Sequence, residues 1–234
     1  MYSVYFSAST QEKNATVLPG KSEEDLMQQL VRDVVLELGQ RTDQIEVFLN
    51  RPEMGLGEII ADSNQKKPML HVALHSNAGG GSGTETWAYG AGNGGERDSN
   101  SVKFARLLQK KVVAVLDLPD RGVKDGMVMK FGEIVLVRAT SVICEIFFHD
   151  NQGDVARYQE RYPQVVDAVV TAVMEWFGVE DKKTGSPTVR IVAGGKVVRG
   201  CLFENRAWGP VREMAEALGF KVEWDGATKT VRIL

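Results

Sequence analysis

The sequence has few of the residues that build disulfide scaffolds or zinc knots. Its 234 residues include two cysteines, Cys144 and Cys201, and three histidines. The cysteines lie far apart, and neither belongs to a Cys-x-x-Cys pair or to a Cys/His ligand spacing. Neither a disulfide framework nor a structural zinc knot is therefore indicated, and free, buried thiols are expected.

Long apolar runs and basic stripes are also missing. No stretch approaches the ~18–20 consecutive apolar residues of a membrane-spanning helix, and residues 1–20 lack the layout of a secretory signal. If the protein works outside a cell, we expect a trimmed signal or another export route. The net charge of −3 without Lys/Arg clusters argues against a nucleic-acid binder. With 43% hydrophobic and 25% charged residues, the composition predicts a folded, soluble protein.

Charge and composition divide the chain into two blocks. Residues 1–185 carry a net charge of −6, whereas residues 186–234 carry +3, which suits an acidic polymer as a partner of the second block. The stretch 179–187 is polar and ends in Gly-Ser-Pro, a composition typical of linkers. We therefore predict a domain at 1–178, a linker at 179–187 and a small domain at 188–234.

Before the linker, β-rich runs alternate with helical patterns. Such alternation predicts crossover connections and therefore an α/β fold, a twisted and mostly parallel sheet with helices on both faces and sites at the carboxyl ends of strands. The small domain reads as α+β, with two hairpins and a helix. The predicted strands are Tyr2–Phe6, Ile45–Leu49, Leu70–His75, Thr84–Tyr89 and Val142–Phe148, with hairpin strands at Thr188–Ala193, Lys196–Phe203, Phe220–Trp224 and Lys229–Leu234. The predicted helices are 22–38, 56–66, 99–116, 153–177 and Pro210–Leu218.

One predicted strand runs into a Gly-rich loop, His71-Val-Ala-Leu-His75-Ser-Asn-Ala-Gly-Gly-Gly-Ser-Gly83. His75 therefore lies at the strand's carboxyl end, where ligands bind in such folds. His71 and His75 share a face, but at ~3.3 Å per residue they are ~13 Å apart and cannot bind one metal ion together. A structural role is the alternative for either histidine.

An acidic residue, Glu145, interrupts the apolar strand Val142–Phe148. Burying a carboxylate costs several kcal/mol unless it is paired or used chemically, so Glu145 is a candidate functional residue, with an exposed edge strand as the alternative. A second candidate is the acidic start of the first helix. Glu23 or Glu24 could reach a metal at the sheet edge, and periodicity does not choose between them. The alternative for both acids is ordinary capping and charge stabilisation of the helix start.

Four motifs in order resemble the zinc-dependent N-acetylmuramoyl-L-alanine amidases that cleave bacterial peptidoglycan, over about residues 1–177. They are Leu74-His75-Ser-Asn77-Ala78, the preceding region 51–64, Arg121-Gly-Val-Lys124, and Ile143-Cys-Glu145-Ile-Phe-Phe-His149-Asp-Asn151. The segment Ser7-Ala-Ser9-Thr-Gln11-Glu-Lys-Asn14 is similar to a clostridial and phage-related branch of that family. The tail, with Val211–Gly219 and Val222–Asp225, resembles the copper amine oxidase N-terminal-like module, which accompanies hydrolases in many cell-surface proteins.

The resemblance implies a Zn²⁺ ion, with His75 and Glu24 as ligands and Glu145 as the catalytic carboxylate. Glu24 is the implied helix ligand because Gln28 follows it at the family's spacing. The family's first histidine is missing, however, and Ala8 takes its register. The resemblance therefore leaves the third ligand to the nearby oxygens of Glu12 or Gln11, of which the carboxylate of Glu12 is chemically preferable.

Two functions follow from these expectations. The first is metal-dependent hydrolysis of the amide bond between N-acetylmuramate and L-alanine by an extracellular or cell-wall lysin, phage-encoded lysins included. Its expected partner is peptidoglycan, and neither nucleic acid nor membrane is expected. The alternative is an inactive amidase fold that only binds peptidoglycan. The missing histidine favours the alternative, and the retained Glu145 favours the enzyme.

Overall fold

The computed structural model describes residues 1–91, 99–182, 188–193, 196–203, 206–208, 215–216, 218–225 and 230–233. It divides into two compact units, Met1–Glu180 and Asp181–Leu234, and the division falls inside the segment 179–187 that the sequence predicts as a linker. No helix in the described ranges has both the length and the apolar character needed to cross a membrane.

The first unit contains a six-stranded sheet in the order β2-β1-β3-β6-β4-β5. Neighbouring strands pair in parallel, except that β4 pairs with β6 in antiparallel fashion. The mostly parallel α/β sheet predicted from the sequence is confirmed. The strands are β1 (Tyr2–Ala8), β2 (Ile45–Leu49), β3 (Leu70–Asn77), β4 (Thr84–Ala88), β5 (Asp120–Asp125) and β6 (Thr140–Phe148).

Helices cover both faces of this sheet, because alternate residues of the inner strands are apolar. Val4 and Phe6 belong to the large core under α1, α3 and α6, whereas Tyr5 between them packs with Met54 and Ile59 on the opposite side. The helices are α1 (Glu23–Arg41), α2 (Leu56–Lys66), α3 (Asn100–Leu116), α4 (Gly132–Val135), α5 (Gln152–Glu160) and α6 (Tyr162–Phe177).

Three elements of the first unit differ from the sequence prediction. The predicted helix 153–177 is two helices, because the chain turns at Arg161 before Pro163, and proline begins a helix more readily than it continues one. Strand β5 and helix α4 were not predicted. Strand β5 is polar, and α4 is a single turn, so neither has the periodicity that marks longer elements.

The second unit contains two small antiparallel sheets, β7-β8-β9 and β10-β11. Their strands are β7 (Thr188–Ala193), β8 (Lys196–Phe203), β9 (Arg206–Trp208), β10 (Val222–Asp225) and β11 (Thr230–Ile233). Both predicted hairpins are present. The predicted helix Pro210–Leu218 lies mostly outside the described residues. Within its range, the described residues Ala215 and Glu216 are helical.

Candidate functional site

Three candidate side chains lie in a row across three neighbouring inner strands of the sheet. His75 on β3 pairs in register with Glu145 on β6, and Glu145 pairs in register with Glu85 on β4. His75 and Glu145 lie near the carboxyl ends of their strands, where the sequence places the site. The fold therefore brings His75 and Glu145, two of the predicted site residues, next to each other.

Glu23, at the start of α1, is the carboxylate that contacts His75. The helix begins with a capping box in which the Ser22 hydroxyl accepts from the Asp25 N–H and the Asp25 carboxylate accepts from the Ser22 N–H. Glu23 is then directed inward, with 1% of its surface exposed. Its Oε1 lies 3.0 Å from His75 Nδ1 and also accepts from the Ser76 N–H.

The loop after β1 surrounds the same carboxylate. The Asn14 side-chain amide donates to Glu23 Oε2 at 2.9 Å and to Gln11 Oε1 at 2.8 Å. The buried Ser9 side chain lies near Glu23 and helps to lower the pKa of its carboxyl group. In this loop the structure therefore places Ser9 and Asn14 beside Glu23. Gln11 accepts a hydrogen bond from Asn14.

Glu12 and Glu24 lie close to each other, in a different place from His75. Both line a cavity of about 650 Å³ beside the α1 N-terminus. Partial burial and the nearby charge of Glu12 raise the pKa of Glu24. Within the described part of the chain, neither carboxylate makes a hydrogen bond or ion pair to His75, so the structure favours Glu23 over Glu24 beside the histidine.

A third carboxylate, Glu133 of α4, approaches the other nitrogen of His75. Its Oε2 lies 3.8 Å from His75 Nε2, and its Oε1 lies 3.0 Å from His71 Nε2. Burial alone would lower the pKa of His75, but Glu133 and Glu23 on either side, together with the nearby charge of Glu145, raise it well above its usual value. Burial would raise the pKa of Glu133, yet the two histidines hold it far below its usual value.

Glu145 is the least compensated acid of the group. Its Oε2 is buried and has no hydrogen-bond partner in the described part of the chain. Burial raises the pKa of Glu145 to about 7, with a further increase from the charges of Glu23 and Glu85 and an opposing effect from His75. A carboxyl group with a pKa near neutrality can both accept and return a proton under physiological conditions.

A cleft of about 330 Å³ opens onto Glu145. Its walls combine aromatic rings with polar groups, among them Arg121, whose guanidinium lies 4.9 Å from the centre of the Phe148 ring. Such a mixture suits a ligand with both apolar and hydrogen-bonding surfaces. Its main side chains are Asn77, Glu85, Trp87, Arg121, Phe131, Glu145 and Phe148.

The Gly-rich loop after β3 forms one rim of this cleft and is fixed to the segment after β6. The N–H groups of Gly79 and Gly80 both donate to Asp150 Oδ2, and the Asn151 side chain donates to the Gly81 carbonyl. A Cβ at Gly81 would lie 2.5 Å from the Phe148 ring, so only glycine allows this approach. The loop is thus held beside Glu145.

The donor set decides whether a metal ion fits. Within the described residues, no group of three or more His, Cys, Asp or Glu side chains is arranged to bind a metal ion. Two ligands of one tetrahedral Zn²⁺ lie about 3.4 Å apart, and the 3.0 Å between Glu23 Oε1 and His75 Nδ1 is close to that separation. Glu23 and His75 are thus two ligands that lie together, one fewer than the three protein ligands of a usual catalytic Zn²⁺ site.

Glu133 is one of two acids near the candidate site that the sequence analysis missed. It lies in the apolar stretch Phe131–Val137, so the reasoning that singled out Glu145, an acid among apolar residues, applies to it as well. Glu85 was also missed because strand Thr84–Ala88 is otherwise polar enough to pass as an exposed strand. The cations that neutralise Glu85, Arg121 and Lys124, come from the unpredicted strand β5.

Comparison with known proteins provides independent evidence. Residues 9–175 match the family model described as N-acetylmuramoyl-L-alanine amidase. Residues 191–234 match the model described as copper amine oxidase N-terminal domain. No curated protein matches the chain.

Several solved structures share the fold at low sequence identity. The catalytic domain of CwlV, an N-acetylmuramoyl-L-alanine amidase from Bacillus (Paenibacillus) polymyxa var. colistinus, matches with a TM-score of 0.66 and 20% identity, over 77% of this chain and 100% of that one. An N-acetylmuramoyl-L-alanine amidase from Clostridium difficile 630 matches with a TM-score of 0.63 and 18% identity, over 76% of this chain and 97% of that one. The catalytic domain of the CD27L endolysin targeting Clostridia Difficile matches with a TM-score of 0.57 and 17% identity, over 77% of this chain and 99% of that one.

Proposed function

Because the chain belongs to the N-acetylmuramoyl-L-alanine amidase family, we propose that it hydrolyses the amide bond between N-acetylmuramate and L-alanine with Glu145 as general base and a divalent metal ion held by Glu23 and His75. Amide hydrolysis in peptidoglycan is the reaction of the family. The assignment of individual residues to steps of that reaction is the part that we propose.

The buried, unpartnered Oε2 of Glu145 is the observation that carries this proposal. An uncompensated carboxylate in an apolar strand destabilises the fold, so a chemical use is the simplest reason for its presence. A pKa of about 7 suits a group that takes a proton from water and then returns it to the leaving nitrogen of L-alanine. The return of the proton matters because an amine anion is a poor leaving group.

Glu23 and His75 supply the two strong ligands. Zn²⁺ bound there would polarise the scissile carbonyl and acidify water, which is the chemistry that such an ion contributes. Asn14 orients the Glu23 carboxylate through its 2.9 Å hydrogen bond. Glu24, the ligand implied by spacing, is a less favourable candidate, because its carboxylate lies with that of Glu12 on the other cavity.

The third donor comes from the loop after β1. Ser9 is our first candidate, because its buried side chain lies near enough to Glu23 to lower the pKa of that carboxyl group. Gln11 and Glu12 remain the candidates predicted from the sequence. Since each of the three offers an oxygen instead of the imidazole nitrogen found in the family, we expect a weaker site that exchanges Zn²⁺ readily for Mn²⁺ or Co²⁺.

The cleft beside Glu145 is our proposed seat for the substrate. Trp87, Phe131 and Phe148 offer apolar ring surfaces, against which the apolar faces of sugar rings pack, and Asn77 and Arg121 offer hydrogen-bond donors. The neighbouring Gly-rich loop leaves its backbone accessible, which favours close approach of the stem peptide. The muramoyl group and its amide would thus lie against Glu145.

We propose that the enzyme acts at the bacterial cell wall and that the second unit attaches it there. The net charge of +3 over residues 186–234 favours acidic wall polymers. The motif Ser7–Asn14 supports a place in the clostridial and phage-related branch. Release as a lysin fits that branch.

Metal content and wall hydrolysis, measured together, test the proposal. The purified chain should contain or bind Zn²⁺, lyse purified walls, lose that activity on exhaustive chelation and regain it when metal is added. Activity that survives chelation would contradict the metal-dependent mechanism. If neither metal nor hydrolysis is found while walls are still bound, the chain is an inactive amidase fold that only binds peptidoglycan.

A further inference from the structure

Strand β5 directs two cations to one side of the sheet, which a regular strand would not do. Arg121 and Lys124 are an odd number of residues apart, so in a regular strand their side chains would point to opposite faces. The pairing of β5 with β4 shifts register within this stretch, where two steps along β4 correspond to three along β5. Gly122, with φ of 77°, lies in this bulge. The bulge therefore gathers both cations at Glu85.

One carboxylate thus meets two cations, and one positive charge is in excess. Arg121 Nε and Lys124 Nζ both donate to Glu85 Oε2, at 2.6 and 2.5 Å. Lys124 alone would neutralise this carboxylate. Within the described residues, no ion pair joins Arg121 to a second acid. The charge of Arg121 is therefore available to a ligand.

The guanidinium of Arg121 is held in place beside the cleft that opens onto Glu145. Arg121 lines this cleft, and its guanidinium lies 4.9 Å from the centre of the Phe148 ring. The Nε–H donates to Glu85, whereas the two Nη groups donate to no acceptor in the described part of the chain. A planar pair of N–H donors matches the two oxygens of a carboxylate. The cleft wall thus offers an oriented receptor for an anion.

We propose that Arg121 binds a carboxylate of the stem peptide, on the residue that follows L-alanine, and so selects acidic stems over amidated ones. This inference rests on the proposed function, in which the cleft holds the substrate with its amide at Glu145. It adds a specificity-determining residue to that reaction. Glu85 and Lys124 support it, since Glu85 orients the guanidinium and Lys124 neutralises Glu85.

The separation of the strands fits this position in the substrate. Strands β6, β4 and β5 are successive neighbours, so the backbones that carry Glu145 and Arg121 are two strand spacings, about 10 Å, apart. Two residues of extended peptide cover about 7 Å from the scissile carbonyl, and a hydrogen bond adds about 3 Å. L-Alanine itself has no free carboxylate, because its carboxyl group forms the next peptide bond. The second residue is the first that offers one.

Neutralisation of Glu85 is the alternative role for Arg121, and it predicts a different pattern of losses. If Arg121 only held Glu85, its replacement would disturb the neighbouring Glu145 and slow the reaction of every substrate equally. Recognition of a carboxylate predicts a loss for acidic stems alone. Glu85 keeps its bonds from Lys124 at 2.5 Å and from the Asn77 side chain at 3.0 Å without Arg121, so we expect Arg121→Gln to fold.

Two substrates that differ in one carboxylate test the inference on the full chain with Zn²⁺ present. Both are N-acetylmuramoyl-L-Ala-γ-D-Glu-L-Lys amides, with the α-carboxylate of the glutamate either free or converted to an amide. We expect kcat/KM to be about 10–100-fold higher for the acid, the range of a charge-assisted hydrogen bond. Arg121→Gln should remove this preference and leave the amidated substrate within about threefold. Arg138→Gln, a change at an exposed arginine, should keep the preference.

Binding of the same two peptides separates failure of this subsite from failure of the proposed function. Calorimetry on chelator-treated protein measures both affinities without hydrolysis. Equal kcat/KM for the two substrates in an active wild-type enzyme, or equal losses for both in Arg121→Gln, would overturn the subsite and leave the proposed function in place. Tighter binding of the acid that Arg121→Gln abolishes, in a chain that hydrolyses neither peptide, would support the subsite alone. If the wild-type chain neither binds nor hydrolyses them, both proposals fail.

Discussion

Glu145 faces Glu85 across the antiparallel pair of β6 and β4, and the two carboxylates have opposite electrostatic surroundings. Glu85 accepts from Arg121 and Lys124 at 2.6 and 2.5 Å, and although burial would raise its pKa, these cations hold it below its usual value. The Oε2 of Glu145 has no such partner in the described residues, and burial raises the pKa of that carboxyl group to about 7. The pKa values of two acids in register are thus shifted in opposite directions.

The first prediction concerns catalysis. Glu145→Gln keeps the size of the side chain but removes its capacity to accept a proton. We expect wall hydrolysis to fall by about 10²–10⁴-fold, the usual loss for a general base, while Zn²⁺ binding is retained. Turbidity loss of purified walls measures the first quantity and chelator competition measures the second. Glu46→Gln, an exposed Glu to Gln change on β2, is the matched control. More than about a tenth of wild-type activity in Glu145→Gln would remove Glu145 from this role.

The second prediction concerns stability and pH. Because folding raises the pKa of Glu145 from 4.5 to about 7, its protonated form stabilises the fold below about pH 4.5, and this contribution is lost as pH rises through 7. Glutamine has no proton to lose in this range, so Glu145→Gln avoids the loss of stability at high pH. In metal-free protein at pH 8, the free energy of unfolding should therefore increase by up to about 3 kcal/mol, from about 1.4 kcal/mol per pKa unit.

Urea unfolding of chelator-treated protein at pH 8 and pH 5 measures this effect. At pH 5 most of the Glu145 carboxyl groups are protonated in the folded protein, so the variant should gain less than about 1 kcal/mol. An equal change in unfolding free energy at both pH values would show that Glu145 does not titrate near 7. A substitution that raises stability and lowers activity together is also expected where a functional group destabilises the fold that holds it.

Sequence patterns predicted those parts of the molecule that depend on local periodicity. The alternation of apolar strands with amphipathic helices gave the parallel sheet, and the buried acid in Val142–Phe148 identified Glu145. They could not choose between Glu23 and Glu24, since both continue an apolar row along the helix. That choice depends on the capping box, which uses Asp25 and directs Glu23 inward, and on where α1 lies over the sheet.

The buried-acid argument that singled out Glu145 also applies to Glu133, but the contact of α4 with His71 lay beyond sequence reasoning. A single helical turn has no repeat to detect, and its Glu133 meets His71 from 62 residues away. Residues brought together by a crossover of this length are visible only in the folded chain. The two hairpins of the second unit, in contrast, were predicted from their turn residues, because hairpins depend on neighbours in sequence.

The third prediction separates the two candidate helix ligands. Glu23→Gln should abolish tight Zn²⁺ binding and hydrolysis, because its carboxylate contacts His75 at 3.0 Å. Glu24→Gln is the matched variant one residue away and should keep both within about threefold, since Glu24 lines the other cavity. Metal titration and wall lysis of the two variants decide between them. The opposite result would restore the ligand set that the family spacing implies.

The last prediction concerns the division between the two units. A chain ending at Glu180 should fold alone and hydrolyse soluble muropeptides, because the end of α6 is completed within it. The Val179 N–H donates to the Met174 carbonyl at 3.0 Å, and the Val179 side chain packs against the large core. A chain ending at Gly178 would lose this closure and should be less stable, although the linker predicted from the sequence begins at residue 179.

Wall attachment is what the chain ending at Glu180 should lose. The removed part includes residues 186–234 with their net charge of +3, and attraction of a basic module to acidic wall polymers weakens as salt screens it. Sedimentation with purified walls should therefore show salt-dependent binding for the full chain and weaker binding for the truncated one, at equal activity on soluble substrate. Precipitation of the truncated chain would mean that the second unit stabilises the first. Equal wall binding by both chains would place the attachment surface in residues 1–180.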